Sequence, residues 1–387
     1  MKNEKDWWHR LSSILNRLTR SASGLVILAA IFYALTTIND NYVMNNAVNH
    51  EDSWIATSAY LVICGWLITL GTLIFNCLVA LKERITKQVS SNPDKSSKKK
   101  PNEKYLGFEL GTSRMQIYTI FAGMFAAFNM VFLLEAYQNL DPSLVLALTV
   151  VGIVYLIIYD LLRRENRKEI LNKFVGISAF LIIIGALITC LVNISGEITL
   201  DPLAIIYVVF LANIFWAFDN VVRYRYKGDS IQKNSKIPNK NSREPDKKTF
   251  IFWRAFWLSA LGTIFISVLA LWRGNFVELW SFIANIWTNV APLALRTVIL
   301  VYAFQLPYQQ ALDMGTEKIS KITMRLMLQI IFGVIISGII VYLFDPLAFG
   351  KQFPIDPTTW TFRFIGMSVL IIGIVLTRKH RLARDML

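Results

Sequence analysis

The segment Leu28-Ala-Ala-Ile-Phe-Tyr-Ala34 recurs 183 residues later as Leu211-Ala-Asn-Ile-Phe-Trp-Ala217, with five of the seven positions identical. A second pair has the same character, because FVGIS at 174–178 recurs as FIGMS at 364–368. Each matched segment lies in a long apolar run. The chain is therefore predicted to contain two copies of one helical unit.

Composition points to the environment in which these runs fold. Of the 387 residues, 55% are hydrophobic and only 17% are charged, whereas a typical soluble domain has about 25% charged residues. Lysine and arginine number 40 against 26 acidic residues, which gives a net charge of +14. A disordered chain is excluded by the apolar content. A nucleic-acid-binding protein is disfavoured, because too few charged side chains remain to cover a soluble surface. The composition predicts a membrane protein.

Ten stretches are long enough for membrane helices, which need about 20 apolar residues each. They are 23–44, 53–81, 115–138, 143–162, 174–192, 202–224, 249–272, 292–312, 322–344 and 360–377. We therefore predict an all-α polytopic membrane protein with ten transmembrane helices in two repeats of five. Because five is odd, the second repeat has the opposite orientation in the membrane, as in many secondary transporters.

The basic residues predict the orientation of these spans. Of the 40 lysines and arginines, 34 lie in the terminal segments or in every second connection, and the alternate connections hold two. Because cytoplasmic segments carry the lysine and arginine excess, both termini are predicted to be cytoplasmic. The predicted units are a cytoplasmic segment 1–22, a first repeat 23–192, a second repeat 193–377 and a cytoplasmic tail 378–387. The polar connections 86–104 and 227–248 are interpreted as disordered cytoplasmic loops that can contact anionic lipid.

The repeat offset also matches polar residues of the first span with residues of the sixth. It pairs Tyr33 with Trp216, Thr36 with Asp219, Thr37 with Asn220, and Asp40 with Arg223. The spacing i, i+3, i+4, i+7 places each set on one helical face. Because polar groups are costly in lipid, these faces should line a pathway. The alternative is that they form hydrogen bonds between helices at the repeat interface.

The third and eighth spans add further candidates. Asn129 lies in the third span, and Tyr302 and Gln305 lie in the eighth, where Pro307 should kink the helix. A row of phenylalanines in the third span shares one face and is interpreted as packing rather than as a substrate slot. Its members are Phe121, Phe125, Phe128 and Phe132.

Charges inside spans need partners. Glu135 in the third span and Arg296 in the eighth lie at similar predicted depth, so we predict an ion pair between them. Either this pair is a static bridge, or one member faces substrate or a coupling proton. Arg254, Arg325 and Arg363 lie near span ends and are predicted to snorkel towards the interface.

No pattern in the chain indicates catalysis. The histidines are scattered at predicted membrane edges, no Walker-type loop is present, and the cysteines have no metal-binding spacing. We expect neither an enzyme nor a cofactor nor a metal site.

The chain resembles the EamA-type members of the drug/metabolite transporter superfamily. Besides the ten-span pattern, GISAFLIIIGA at 176–186 and GMSVLIIG at 366–373 are similar to the glycine-spaced fifth and tenth helices of that family. LLEAYQNLDPS at 133–143 resembles the turn after its third helix, and Ala311-Leu312 would be the counterpart after the eighth. The fourth and ninth spans lack the proline that the family often has there. The resemblance implies a pathway lined by helices one, three, four, six, eight and nine.

Together these features favour a secondary transporter of small organic metabolites or drugs. It would be an exporter or exchanger in the plasma or inner membrane, and either a monomer or a homodimer. The candidate substrate contacts are Tyr33, Thr37, Asn129, Trp216, Asp219, Asn220, Tyr302 and Gln305. Glu135 or Asp219 could carry a coupling proton. The alternative hypothesis is a non-transporting scaffold or regulator that acts through its lysine-rich loops.

Overall fold

The fold is built from helices. The computed structural model describes residues 21–48, 50–90, 112–140, 145–146, 148–163, 173–191, 202–236, 247–314, 319–343 and 357–384. None of these residues lies in a β-strand. The two lysine-rich connections, apart from 86–90, 227–236 and 247–248 at their helical edges, lie outside the described residues.

The helices are numbered along the chain. In the first half, α1 is Ala22–Asn46, α2 is Ser53–Ser90, α3 is Ser113–Asn139, α4 is Gly152–Leu162 after a 3-10 turn at Thr149–Val151, and α5 is Lys173–Leu191. α6 consists of Pro202–Ile206, a π-helical segment Tyr207–Ala212, and Asn213–Lys236. The remaining helices are α7 at Lys247–Arg273, α8 at Phe276–Asp313, α9 at Ile319–Leu326 and Leu328–Leu343, and α10 at Pro357–Arg384.

Seven helices in the described residues are long and apolar enough to cross a membrane, namely α1, α2, α3, α6, α7, α8 and α9. Their outer faces expose large apolar side chains, including Trp272 at 82% and Leu343 at 72%, which a water-soluble surface avoids. The structure therefore indicates a multi-pass helical membrane protein. The apolar parts of α4, α5 and α10 are shorter and overlap the fourth, fifth and tenth predicted spans.

The eighth predicted span begins too late. α8 begins at Phe276, two residues after Gly274, whose φ of 79° lies in the left-handed region that favours glycine. The predicted connection 273–291 is therefore mostly helix. α8 continues through Pro292 and Pro307 for 38 residues, a length of about 57 Å. It therefore extends well beyond a hydrocarbon core of about 30 Å.

Helix packing relates the first five helices to the last five. Three contacts of α1 or α2 with the second half have counterparts made by α6 or α7 with the first half. The contact of α1 with α8 corresponds to that of α6 with α3, and the contact of α2 with α8 corresponds to that of α7 with α3. The contact of α1 with α9 corresponds to that of α6 with α4. α2 also packs on α7, α4 on α9, and α5 on α10. Exchanging α1–α5 with α6–α10 turns this set of contacts into itself. A duplicated five-helix unit would produce such an exchange.

The phenylalanine row of α3 packs against α6. The ring centroids of Phe128 and Phe215 are 5.0 Å apart, and those of Phe125 and Phe218 are 5.2 Å apart. The packing interpretation of this row agrees with these contacts. These ring contacts hold α3 beside α6 and leave other faces of both helices for the interior.

α5 and α10 approach each other closely at glycines. A Cβ on Gly185 would lie 2.6 Å from the Leu370 backbone nitrogen, and one on Gly366 would lie 2.7 Å from the Gly185 carbonyl oxygen. The Ser178 hydroxyl donates a hydrogen bond to the Gly373 carbonyl oxygen. Small residues at a helix crossing allow backbones to touch in a membrane. This contact gives a physical reason for the glycine spacing in the two helices.

We expect Gly185→Ile to destabilise the protein by about 1–3 kcal/mol, because the added side chain would push α10 away. Gly176→Ile is the matched control on the same helix, since a Cβ there meets nothing within 4 Å. Thermal unfolding in detergent would measure both. A Gly185→Ile variant that unfolds at the wild-type temperature would contradict the close crossing.

Candidate functional site

A cavity lies between α1, α2, α3, α6, α7 and α8. Its empty volume is about 980 Å³, including space that is open to the outside. All eight predicted substrate contacts line it, namely Tyr33, Thr37, Asn129, Trp216, Asp219, Asn220, Tyr302 and Gln305. The remaining members of the two predicted faces, Thr36, Asp40 and Arg223, line it as well. The structure thus brings these side chains to one place.

Asp40 lies in a network of hydroxyl donors. Its Oδ1 atom accepts hydrogen bonds from the Tyr60 hydroxyl at 2.6 Å and from the Thr297 hydroxyl at 2.8 Å. The Asn39 amide donates to Thr297 Oγ1 at 2.8 Å. Asp40 is 5% exposed, and a buried carboxylate needs such donors to offset its loss of hydration. This Asp40 network joins α1 to α2 and α8.

Asp219 is paired with arginine. Arg254 Nε donates to Asp219 Oδ1 at 3.0 Å, and Arg254 Nη2 donates to Oδ2 at 2.5 Å. Arg223, one turn further along α6, has its Nη1 atom 3.9 Å from Asp219 Oδ2. A two-point contact between guanidinium and carboxylate fixes both side chains in angle as well as distance. The pair therefore holds α7 against α6.

The same region continues to α8. Arg223 Nε donates to Gln309 Oε1 at 3.0 Å, and the guanidinium lies 5.0 Å from the centroid of the Tyr308 ring. The Tyr308 hydroxyl donates to Asn220 Oδ1 at 2.7 Å. We call Asp219, Asn220, Arg223, Arg254, Tyr308 and Gln309 the arginine network. It connects α6, α7 and α8 at one end of the cavity.

Aromatic side chains form much of the remaining wall. The Tyr33 and Phe304 ring centroids lie 4.8 Å apart, and Phe304 stacks on Tyr308 at 5.6 Å. Trp216 also lines the cavity and packs over Gly152, where a Cβ would lie 2.8 Å from the indole. Such a wall suits the apolar body of a small organic molecule.

Gln305 presents a polar group to this cavity. The residue is 7% exposed, and its Oε1 atom accepts no hydrogen bond from any described residue. A buried acceptor that lacks a donor costs about 1–3 kcal/mol. A bound molecule with an N–H or O–H group would satisfy it.

A π-helical segment of α6, Tyr207–Ala212, lies just before the part of this helix that lines the cavity. The Val209 carbonyl oxygen accepts hydrogen bonds from the Tyr155 hydroxyl and from the Asn213 amide, both at 3.4 Å. Asn213 Nδ2 also donates to the Leu148 carbonyl oxygen at 2.9 Å. Side chains of α4 and α6 thus occupy carbonyl groups around the π-helical turn. This arrangement positions Trp216, which follows one turn later.

Glu135 and Arg296 lie elsewhere. The Glu135 carboxylate accepts hydrogen bonds from the Ser53 hydroxyl at 2.5 Å and the Thr57 hydroxyl at 3.0 Å. Arg296 lies on an exposed face of α8. Neither residue is among those that line the cavity. In this structure Glu135 therefore connects α3 to α2, and the hydroxyls replace the predicted arginine as its partners.

The predicted snorkelling of three arginines is wrong. Arg254, Arg325 and Arg363 are 9%, 6% and 0% exposed. Arg254 pairs with Asp219, Arg325 Nη1 donates to the Ser23 hydroxyl at 2.9 Å, and the Arg363 guanidinium lies 5.5 Å from the Trp360 ring centroid. The three guanidinium groups are thus contacted by other side chains of the protein instead of by the polar membrane interface.

The lining also differs from the one that the family resemblance implies. α2 and α7 contribute through residues such as Thr72 and Leu258, and no described residue of α4 or α9 is among the lining. α4 and α9 instead pack behind the cavity wall, where Gly152 contacts Trp216. Among the described residues, no group of three or more histidine, cysteine, aspartate or glutamate side chains could hold a metal ion.

Sequence reasoning did not find the donors around the two carboxylates. Tyr60 lies on the next helix along the chain and Thr297 on a helix remote in sequence from Asp40, and only the general need of a buried charge for a partner pointed to either of them. Tyr308 could have been found, since it follows Gln305 by three residues and shares its helical face.

Comparison with known proteins adds little. No family model matches this chain, and no curated relative matches it. A solved structure described only as "Crystal structure of protein" aligns over 92% of this chain and 99% of its own, with 10% sequence identity and a TM-score of 0.49. A likeness of this size carries no argument. Membership of the EamA-type transporters therefore stays a prediction from the sequence resemblance.

We expect Asp219→Asn to destabilise the protein strongly, by about 3–5 kcal/mol, because Arg254 would remain buried without its counter-charge. The double variant Asp219→Asn with Arg254→Gln should be less destabilised than the single one. Arg296→Gln, on an exposed face of α8, is the control and should unfold like wild type. Thermal unfolding in detergent measures all three. If Asp219→Asn alone were as stable as the double variant, the destabilisation would not come from leaving Arg254 without its counter-charge.

Proposed function

We propose that the protein is a secondary transporter of small organic solutes that works by alternating access. Its ten membrane helices would form two inverted repeats of five, with both termini in the cytoplasm. The observation that carries the proposal is the central cavity, which has an aromatic wall and a polar network around a carboxylate at each end. The EamA-type resemblance implies the same mechanism.

The position of the cavity supports this proposal. α1, α2 and α3 line it from the first half, and α6, α7 and α8 line it from the second. These are equivalent helices under the exchange of α1–α5 with α6–α10. Transporters with inverted repeats bind their substrates at such an interface.

The two polar networks would act as the parts that rearrange. By the distribution of lysine and arginine, the Asp40 network lies towards the outside and the arginine network towards the cytoplasm. A solute that leaves towards the cytoplasm would have to separate α6 from α7 or α8, where Arg254 and Arg223 make their contacts. Exit to the outside would separate α1 from α8 at Thr297.

The lining also favours a class of solute. Asp40, Asp219, Arg223 and Arg254 carry two formal negative and two formal positive charges, so the lining has no net charge. A solute with an apolar or aromatic body and a donor group for Gln305 would fit this environment. Transport could be driven by a proton carried on Glu135 or Asp219, or by exchange of a second solute.

We expect a thermal-shift screen of the purified protein against a metabolite library to yield compounds that stabilise it. Gln305→Leu should weaken binding of such a compound by roughly 2–10-fold, which corresponds to one lost hydrogen bond, and Trp216→Ala should weaken it further. Gln138→Leu and Trp66→Ala are matched controls outside the cavity lining. Counterflow of the compound in proteoliposomes should follow the same order.

Compounds whose binding is equally insensitive to Gln305→Leu and Trp216→Ala would place the binding site elsewhere. A compound that binds in the cavity and shows no counterflow in wild-type proteoliposomes would argue for a receptor or scaffold.

Topology has a separate test. In a background without Cys64, Cys77 and Cys190, a membrane-impermeant thiol reagent applied from outside should label Ser195→Cys but not Ser96→Cys. This result follows from the lysine and arginine distribution. The opposite labelling pattern would show that the orientation is the reverse of the predicted one. Equal labelling of both positions would contradict the predicted odd number of membrane crossings between residues 96 and 195.

A further inference from the structure

A groove runs along the outside of α3, α4 and α6. Its empty volume is about 1690 Å³ including its open side, and it shares no lining residue with the central cavity. We call it the lateral groove. Its lining includes Arg114, Tyr118 and Phe121 of α3, Tyr159 of α4, and Phe218 and Arg225 of α6.

Most of the lateral groove is apolar and open. Phe121, Ile158 and Phe218 are each between 46% and 49% exposed, and Leu162 is 72% exposed. These side chains come from three different helices. They therefore form a concave surface, unlike the convex outer face of a single helix. Such a surface surrounds a hydrocarbon chain on several sides.

One end of the groove is basic and aromatic. Arg114 lies in the first turn of α3, and Arg225 lies beside Tyr159 near the end of α4. Arg225 Nε donates to the Tyr159 hydroxyl at 2.9 Å, and its guanidinium lies 5.4 Å from the Tyr159 ring centroid. The Arg114 guanidinium lies 5.8 Å from the Tyr118 ring centroid. Both arginines are thus positioned by tyrosines at the same end.

The length of the groove matches one leaflet of a bilayer. On α6 it extends from Ile214 to Arg225, which is eleven residue-to-residue steps and therefore about 16 Å along the helix. Half of a hydrocarbon core of about 30 Å is about 15 Å. The lysine and arginine distribution places the basic end at the cytoplasmic surface, where the leaflet carries anionic lipids.

We propose that the lateral groove binds one anionic phospholipid of the cytoplasmic leaflet. The phosphate would lie between Arg114 and Arg225, because the planar guanidinium fork matches phosphate oxygens at two points. One acyl chain would lie along Phe121, Ile158 and Phe218. Tyr118 and Tyr159 would occupy the interface, which favours amphipathic rings. This site is separate from the lysine-rich loops and requires no transport activity.

Native mass spectrometry of the full-length protein tests this proposal. Phosphatidylglycerol and phosphatidylcholine with identical acyl chains would be added separately to the protein in detergent. We expect one phosphatidylglycerol molecule to be retained in preference to phosphatidylcholine. Arg114→Gln with Arg225→Gln should lower its apparent affinity by roughly 30-fold, at about 1 kcal/mol for each basic residue. The control pair Arg273→Gln with Arg296→Gln, which lies outside the groove, should leave the affinity unchanged.

A second pair of variants tests the apolar part. Ile158→Trp should reduce phosphatidylglycerol binding by filling the groove, whereas Ile264→Trp, at an exposed position on α7, should not. Thermal unfolding would check that each variant remains folded.

Several results would overturn the proposal. They are equal retention of the two lipids, unchanged binding in the groove variants, or equally strong competition by soluble glycerol phosphate, which has no acyl chain. A dimer that is lost in Ile158→Trp would assign the groove to a second copy of this chain and would also overturn it.

Discussion

The contact between Arg254 and Asp219 is the constraint on which the interior of this protein depends. A carboxylate inside a membrane-spanning bundle is stable only if a charge or several donors replace its hydration. Arg254 supplies both at 3.0 and 2.5 Å, and this fixes the register of α7 on α6. Arg223 then extends the network to Gln309 on α8. Side-chain contacts around Asp219 thus join three of the six helices that line the cavity.

At the opposite end of the cavity, neutral hydroxyl donors rather than a guanidinium stabilise the buried carboxylate. Asp40 accepts hydrogen bonds from Tyr60 and Thr297, whereas the repeat offset matches Asp40 with Arg223. In the predicted repeat, groups of opposite charge would thus occupy equivalent positions. A cavity built in this way is polar at both ends and neutral overall. Its ends differ in character, with hydroxyl donors at one and guanidinium groups at the other.

The sequence was informative where one helix alone carried the signal. The i, i+3, i+4, i+7 faces of α1 and α6 were visible from spacing, and both line one cavity. Contacts between helices were harder, because apolar periodicity does not say which helix lies opposite. The sequence therefore predicts Arg296 as the partner of Glu135 and the membrane interface as the environment of Arg254, whereas the structure places Glu135 against Ser53 and Arg254 against Asp219. The predicted eighth span begins at Pro292, whereas α8 begins at Phe276 and continues through this proline.

α6 connects the two sites. Trp216, Asp219 and Arg223 line the central cavity, while Phe218 and Arg225 line the lateral groove. These two sets lie on different faces of one continuous helix, so neither face can move without the other. The π-helical segment Tyr207–Ala212 lies just before them, and such segments change the rotation of the helix that follows. A lipid that holds the outer face of α6 would therefore also restrict the angle at which Asp219 meets Arg254, and membrane composition would act on the same contact that organises the interior.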